Sequence, residues 1–216
     1  MILQGKHIAV EGVIGVGKTS LSTMLSEEKN GKLVLEIVEK NPFLSDFYND
    51  KENLAFQTQI FFLFSRYHQQ EELMQFDLFK QTVFTDYIFE KDKIFAYLNL
   101  SEKEISLYEK IYNLLVKKVP KPDLVVYLQA STEVLMERIK RRGREFERNI
   151  EINYIEELNQ AYNYFFFHYE ASPLLVINSN SLDFVHRPED FKKIFKEINN
   201  ITGGKKYFNP GNDAEL

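Results

Sequence analysis

The sequence predicts an α/β fold in three layers, α/β/α, with a five-stranded parallel sheet and a short Arg-rich lid. Five short apolar runs supply the strands: HIAVEG (7–12), KLVLEIV (32–38), TVFTD (82–86), DLVVYLQ (123–129) and PLLVIN (173–178). Their near-continuous hydrophobicity is that of strands buried on both faces. Helix-like segments fill the intervals, at about 17–28, 53–77, 101–118, 131–142, 152–171 and 187–199. Parallel neighbours need crossovers of that length, so strand-helix alternation points to a parallel sheet. The third observation is a glycine-rich loop between the first run and the first helix, where such folds bind phosphate.

The boundaries follow from local chemistry. Ser131 stands where an N-cap is needed, and Gly143 where the 131–142 helix must stop. The chain therefore breaks inside a basic cluster, which defines a lid at about 142–152. Residues 1–200 read as one domain, an ordinary size for a single core, and 201–216 as a polar, frayed C-terminal tail.

Composition narrows the function. The 216 residues carry 27 Lys and Arg against 32 Asp and Glu, a formal net charge of −5. That balance argues against nucleic-acid and anionic-membrane partners, which need clustered positive charge. No cysteine is present, which excludes disulfide scaffolds, thiolate zinc sites and cysteine nucleophiles. Four scattered histidines make a poor metal site. The most apolar stretch, FQTQIFFLF (56–64), is short and interrupted by glutamines, and no leader-like run opens the chain. The expectation is a cytoplasmic protein.

Gly12-Val13-Ile14-Gly15-Val16-Gly17-Lys18-Thr19 fits G-x-x-x-x-G-K-[ST] without a mismatch. In this pattern backbone N–H groups cradle phosphate oxygens, the lysine (Lys18) reaches the β- and γ-phosphates, and the hydroxyl (Thr19) ligates Mg²⁺. ATP and Mg²⁺ are the ligands this predicts. Asp86, ending the third strand, is the candidate second metal ligand, in the manner of a Walker B aspartate. A GTPase base-reading Asn-Lys-x-Asp is missing where it belongs, since Asn178 is followed by Ser179-Asn180-Ser181. Instead Arg138, Arg141, Arg142 and Arg144 crowd seven residues, a clamp for a phosphoryl group in transfer or a solvated basic helix end. Glu36 and Glu39 stand at the carboxyl edge of the second strand, where open parallel sheets bind ligands, and spacing does not choose between them as base.

Taken together, the GVIGVGKT loop, the EIVEKNPF segment, the series Tyr48, Gln59, Arg66 and the RIKRRGREFE lid resemble the deoxynucleoside kinases, especially the deoxyguanosine and deoxyadenosine kinases of Gram-positive bacteria. The resemblance spans about residues 5–199. It implies transfer of the γ-phosphoryl of ATP to the 5′-hydroxyl of a deoxyribonucleoside by a homodimer. It also implies that Glu36 is the base, with Ile37 in place of the usual proline. Tyr48 and Glu147 match the pair on the sugar 3′-hydroxyl, Gln59 the glutamine on the base edge, and Asp92 a second base-reading carboxylate that accompanies purine use, with Arg66 a further substrate-side candidate. Arg142 and Arg144 match lid arginines on the transferred phosphate, and Arg138 a further one on the phosphate side. Asp86-Tyr87 departs from the Glu/Asp-Arg of many members, so the charge of that arginine is missing. A nucleoside monophosphate kinase and a non-catalytic nucleotide-binding module are the alternatives, and neither accounts for Glu36, Gln59 and Glu147 together.

The chain is rich in aromatics, with 19 Phe and 12 Tyr but no Trp. Five fall at 56–67, where Phe56, Phe62 and Phe64 beside Gln59 and Arg66 suggest a wall for a planar base. Six fall at 162–169, a stretch too apolar all round for a solvated helix, which predicts packing in the core or at a subunit interface.

Overall fold

Six strands, β1 (His7–Gly12), β2 (Lys32–Val34), β3 (Val83–Thr85), β4 (Leu124–Gln129), β5 (Leu174–Asn178) and β6 (Lys205–Phe208), form one parallel sheet in the order β2-β3-β1-β4-β5-β6. This is a computed structural model that describes residues 5–48, 50–74 and 81–210. All six residues of β1 are buried, as its central place between β3 and β4 requires. The helices are α1 (Lys18–Lys29), α2 (Leu44–Phe47), α3 (Lys51–Met74), α4 (Asp92–Asn99), α5 (Glu102–Leu115), α6 (Thr132–Arg142), α7 (Ile152–Phe167) and α8 (Pro188–Asn200).

The predicted caps are in place. Ser131 accepts a hydrogen bond from the Val134 amide at 3.5 Å, and Gly143 closes α6 at φ +66°, donating to Ile139 O at 3.1 Å. The predicted 53–77 helix begins at Lys51, and its expected last residues, 75–77, lie outside the described residues.

The sheet has six strands where the sequence predicts five, and the tail expected to fray contributes the sixth. Lys205 to Phe208 pair along the open edge of β5, from Leu174↔Lys205 to Ile177↔Phe208, and Phe208 packs against the core. Backbone pairing with β5 therefore orders a segment whose composition is polar. Its lysines suit an edge strand, where they discourage further pairing. Residues 211–216 of that tail lie outside the described residues.

The second strand is shorter than predicted. It ends at Val34, and two residues later the Glu36 amide donates to Asp86 Oδ1 at 2.7 Å, bending the chain over the sheet edge. Two cores result. One surrounds the sheet; the other, with Phe47, Leu63, Phe89, Tyr108 and Tyr112, lies beneath α2, α3, α4 and α5. On α7, Tyr162 and Phe166 are buried, with Phe166 stacked on Tyr127 at 4.1 Å, while Tyr164 and Phe167 are about 70% exposed. The 162–169 stretch is thus half core and half surface. No helix among the described residues is long and apolar enough to cross a membrane.

Candidate active site

Phosphate-site geometry begins with two close approaches. Gly12 has φ +150°, and a Cβ there would lie 2.5 Å from Leu128 O. Gly15 has φ +87°, and its Cβ would meet Ile139 Cγ1 at 2.7 Å and Leu135 O at 2.8 Å. Only glycine fits such positions, because the backbone is both left-handed and crowded. Val13 and Val16 are buried and anchor the loop in the core, while Gly17 passes directly into α1. Lys18 folds back over the loop, its Nζ donating to Gly12 O at 2.8 Å and Val13 O at 3.2 Å. Burial and the neighbouring Lys91 ammonium pull its pKa down to about 8, against the opposing charges of Glu11, Glu36 and Asp86.

Thr19 Oγ1 donates to Asp86 Oδ2 at 2.6 Å, and Asp86 Oδ1 accepts from the Glu36 amide. A hydroxyl and a carboxylate side by side make an all-oxygen donor pair, the hard ligand set that Mg²⁺ takes beside phosphate oxygens and water. The residues fit the ion.

Beneath the loop lies a cavity of about 840 Å³, its mouth included, lined among others by Ile14, Lys18, Glu36, Tyr48, Gln59 and Arg66. Helix α3 builds one wall through Ala55, Thr58, Gln59, Phe62 and Arg66, which follow the helical repeat. Of the aromatics expected on this wall, Phe62 lines it and lies 5.0 Å from the Arg66 guanidinium. Phe56 and Phe64 point elsewhere on the helix and are not among the lining residues; Phe47, Phe95 and Phe146 take that part.

Glu36 is the electrostatic centre. Arg66 Nε and Nη2 each reach its Oε1 at 2.6 Å, and Lys91 Nζ reaches its Oε2 at 2.7 Å. Burial alone would raise its pKa, but Arg66, Lys91 and Lys18 overcome it and hold the carboxyl at about 2. Arg66 also pairs through Nη1 with Asp92 Oδ2. Asp92 is fully buried and is not among the residues lining the cavity. It accepts from Gln59 Nε2 at 2.5 Å and Tyr108 OH at 2.8 Å, so it holds Gln59 and Arg66 in place and faces no ligand itself.

On the opposite side, the turn at Glu145–Glu147 brings Glu147 over Tyr48. Arg142 Nε and Nη2 donate to the two oxygens of Glu147, at 3.1 and 2.5 Å. Arg144 reaches Glu39 at 3.3 Å and Glu147 at 4.0 Å. Both arginines line the aromatic cavity and a second, open cleft outside the loop. Glu39 is exposed and pairs with Arg144, whereas Glu36 faces the cavity, which separates the two candidate bases.

The outer cleft encloses about 1720 Å³, open solvent included, between residues 15–20, the basic face of α6 and residues 180–187. Arg138 lines it, yet its guanidinium is bound to carbonyls: Val16 at 3.2 Å, Ser179 at 2.8 Å and Leu182 at 3.1 Å. It ties the glycine loop to the 179–182 turn. That turn and the residues to 187 carry no sequence signal beyond a polar loop and were not foreseen.

Nor was Lys91. It is 2% exposed, lines the aromatic cavity, and lies 3.7 Å from the buried Glu11 as well as touching Glu36. Its ammonium stands 5.9 Å from the Tyr87 ring centre. Lys91 thus brings a cation beside Glu36 four residues after Tyr87. A buried lysine within the charged run EKDK reads as surface until the fold is known.

The family model described as deoxynucleoside kinase matches residues 8–202, essentially the whole described fold. The chain belongs to the deoxynucleoside kinase family. It is an enzyme that phosphorylates a deoxynucleoside. Among its relatives, the deoxyguanosine kinase of Bacillus subtilis (strain 168) is 41% identical over 199 residues, covering 90% of this chain and 96% of its own. The deoxyadenosine kinase of Dictyostelium discoideum is 35% identical over 166 residues, covering 76% and 67%. A solved structure of deoxyadenosine kinase from M. mycoides with bound dATP superimposes with a TM-score of 0.79 at 28% identity, covering 90% of this chain and all of that one.

Proposed function

We propose that the protein transfers the γ-phosphoryl group of ATP to the 5′-hydroxyl of a purine deoxyribonucleoside, deoxyguanosine ahead of deoxyadenosine, in nucleotide salvage. In this reading the aromatic cavity is the acceptor site and the basic cleft the donor site. One observation carries it: Glu36, mostly shielded from solvent and held by Arg66 and Lys91, lines the aromatic cavity together with Lys18 and Thr19 of the glycine loop. The names of the Bacillus and Dictyostelium relatives support a purine, and Gln59, whose amide nitrogen is bound to Asp92, offers its carbonyl oxygen to the donor groups of its edge.

In this mechanism the loop amides and Lys18 hold the donor's β- and γ-phosphates. Glu36 accepts the 5′-hydroxyl proton as the oxygen attacks the γ-phosphorus. Tyr48 and Glu147 hold the sugar 3′-hydroxyl. Arg142 and Arg144, which line both cavities, bear on the phosphoryl group between them and help exclude water. Thr19 and Asp86 would hold Mg²⁺, which would neutralise charge on the donor phosphates. Within the acceptor cavity Arg66, Lys91 and Arg142 are each paired with a carboxylate, which suits a neutral nucleoside better than a nucleoside monophosphate. The enzyme is read as a homodimer on its family resemblance, and exposed Leu107 and Leu114 on α5 offer apolar surface for it.

A coupled assay of ADP release with ATP, Mg²⁺ and each of the four deoxynucleosides, and with deoxyguanosine monophosphate, tests the reading. Highest kcat/KM is expected with deoxyguanosine. A preference for a pyrimidine or for the monophosphate overturns the assignment.

A further inference from the structure

We propose that Lys91 is a second cation of the transfer step, paired with Glu36 in the resting site and with the transferred phosphoryl oxygens in the product. The inference rests on Glu36 as the base and goes beyond it to a residue outside every motif. Lys91 ends a single 3₁₀ turn (Phe89–Lys91) and is almost wholly buried, yet its side chain faces the acceptor cavity. A buried ammonium is kept only where charge partners hold it. Its partners here are Glu36 at 2.7 Å and Glu11 at 3.7 Å. Glu11 in turn accepts from the Gly12 amide at 2.8 Å and the Ile88 amide at 3.1 Å, so Lys91 bridges the root of the glycine loop and the base.

The two oxygens of Glu36 are not equivalent. Oε1 takes both bonds from Arg66, whose guanidinium is fixed at its other side by Asp92. Oε2 takes Lys91 alone, leaving it lone-pair capacity for a hydroxyl. As the O5′–Pγ bond forms, the bond from Pγ to the bridging oxygen breaks and its electron pair leaves on ADP. The hydroxyl proton passes to Oε2, and Glu36 becomes neutral. Lys91 loses its strongest partner just as the phosphoryl oxygens arrive with negative charge at the adjacent O5′. Glu11 is too distant to take over fully. Arg66 is clamped at both ends, whereas an ammonium on a flexible stem is a point charge that can change partners.

The test compares K91M and K91R with wild type, measuring kcat, nucleoside KM, and the affinities for deoxyguanosine and deoxyguanosine monophosphate. Expected for K91M is a loss of kcat of about a hundredfold, with nucleoside affinity within about threefold and monophosphate affinity down about tenfold or more. K91R should recover at least about a tenth of wild-type kcat. If K91M does not fold, K91Q takes its place, since its amide can still bond Glu36 while carrying no charge, and the same split is expected. Nucleoside and monophosphate affinities falling together, or neither falling, would overturn the proposal. An E36Q control run alongside separates the failures: retained turnover there removes Glu36 as base, while the monophosphate affinity of K91M reads Lys91 directly.

Discussion

On the donor side, eight consecutive residues, 12–19, make the phosphate loop, and the partners they need are their own backbone amides, one lysine and the start of α1. On the acceptor side, Glu36, Gln59, Arg66, Lys91 and Glu147 come from four segments, with Gln59 and Arg66 both on α3, and each charge is satisfied by another side chain. The donor cleft is open and lined by Arg138, Arg141, Arg142 and Arg144; the acceptor cavity is enclosed and its cations are paired. A cleft lined by four arginines, of which Arg142 rests on Glu147, Arg144 on Glu39 and Arg138 on backbone carbonyls, suits a polyanion that arrives from solvent. A neutral nucleoside gains nothing from loose charge, so its site uses charge internally, to fix polar groups around a shape. Donor affinity should therefore respond to single cations, and acceptor affinity to the support that Asp92 gives Gln59 and Arg66.

The largest expected effect tests the donor half. Lys18→Met should lower turnover about a thousandfold or more, because Lys18 meets the transferred group. Nucleoside affinity, measured by calorimetry, should stay within about threefold if the two halves are as separate as their construction implies. A large parallel loss of nucleoside binding would join them.

Asp92→Asn breaks the acceptor half from within. Removing the charge from a buried pair costs about 3–5 kcal/mol, and the low end applies because Glu36 still pairs with Arg66. Chemical denaturation should show about that loss of stability. Deoxynucleoside KM should rise about tenfold as Gln59 and Arg66 lose their support, with ATP affinity unchanged. A variant of full stability and normal KM would show that Asp92 does not organise the wall.

The smallest effect lies beneath both halves. His7 starts β1, and burial depresses its pKa to about 4, against the pull of Asp123. The Thr85 hydroxyl donates to Tyr87 O at 2.8 Å, so at 3.1 Å it accepts from His7, which is neutral with its proton on Nε2. The unfolded chain binds this proton near pH 6.5 and the native state only near pH 4. Stability is thus unaffected above pH 6.5 and falls as pH drops towards 4, by up to about 3 kcal/mol from this residue. His7→Gln should flatten that part of the stability profile and leave turnover at pH 7.5 unchanged. An identical acid profile in the variant would assign the pH dependence elsewhere.

The same contrast explains what the sequence made legible. The loop was readable because its chemistry is local, and β1, α1, α6 and both α6 caps were readable for the same reason. Glu36 needed the family resemblance, since nothing in its spacing separates it from Glu39. Lys91 lay 55 positions from Glu36 in a charged run, and only folding brings the two within 2.7 Å. Helices α2 and α4 escaped because they are short, and α4 follows directly on the turn that ends at Lys91. Strand β6 escaped because its order comes from the free edge of β5 and not from its own hydrophobicity. Asp92 was visible as a carboxylate, but its work as a hidden support is a property of three partners, Arg66, Gln59 and Tyr108, that no local pattern joins.

At the meeting point of the two halves stands Glu36, and Glu36→Gln tests the account most directly. Glutamine preserves the size of the side chain and removes its capacity to take a proton. Steady-state turnover with deoxyguanosine and ATP is expected to fall about a hundredfold or more, with ATP affinity and nucleoside KM within about threefold of wild type. Turnover within about tenfold of wild type would contradict the assignment of Glu36 as the base on which the site is built.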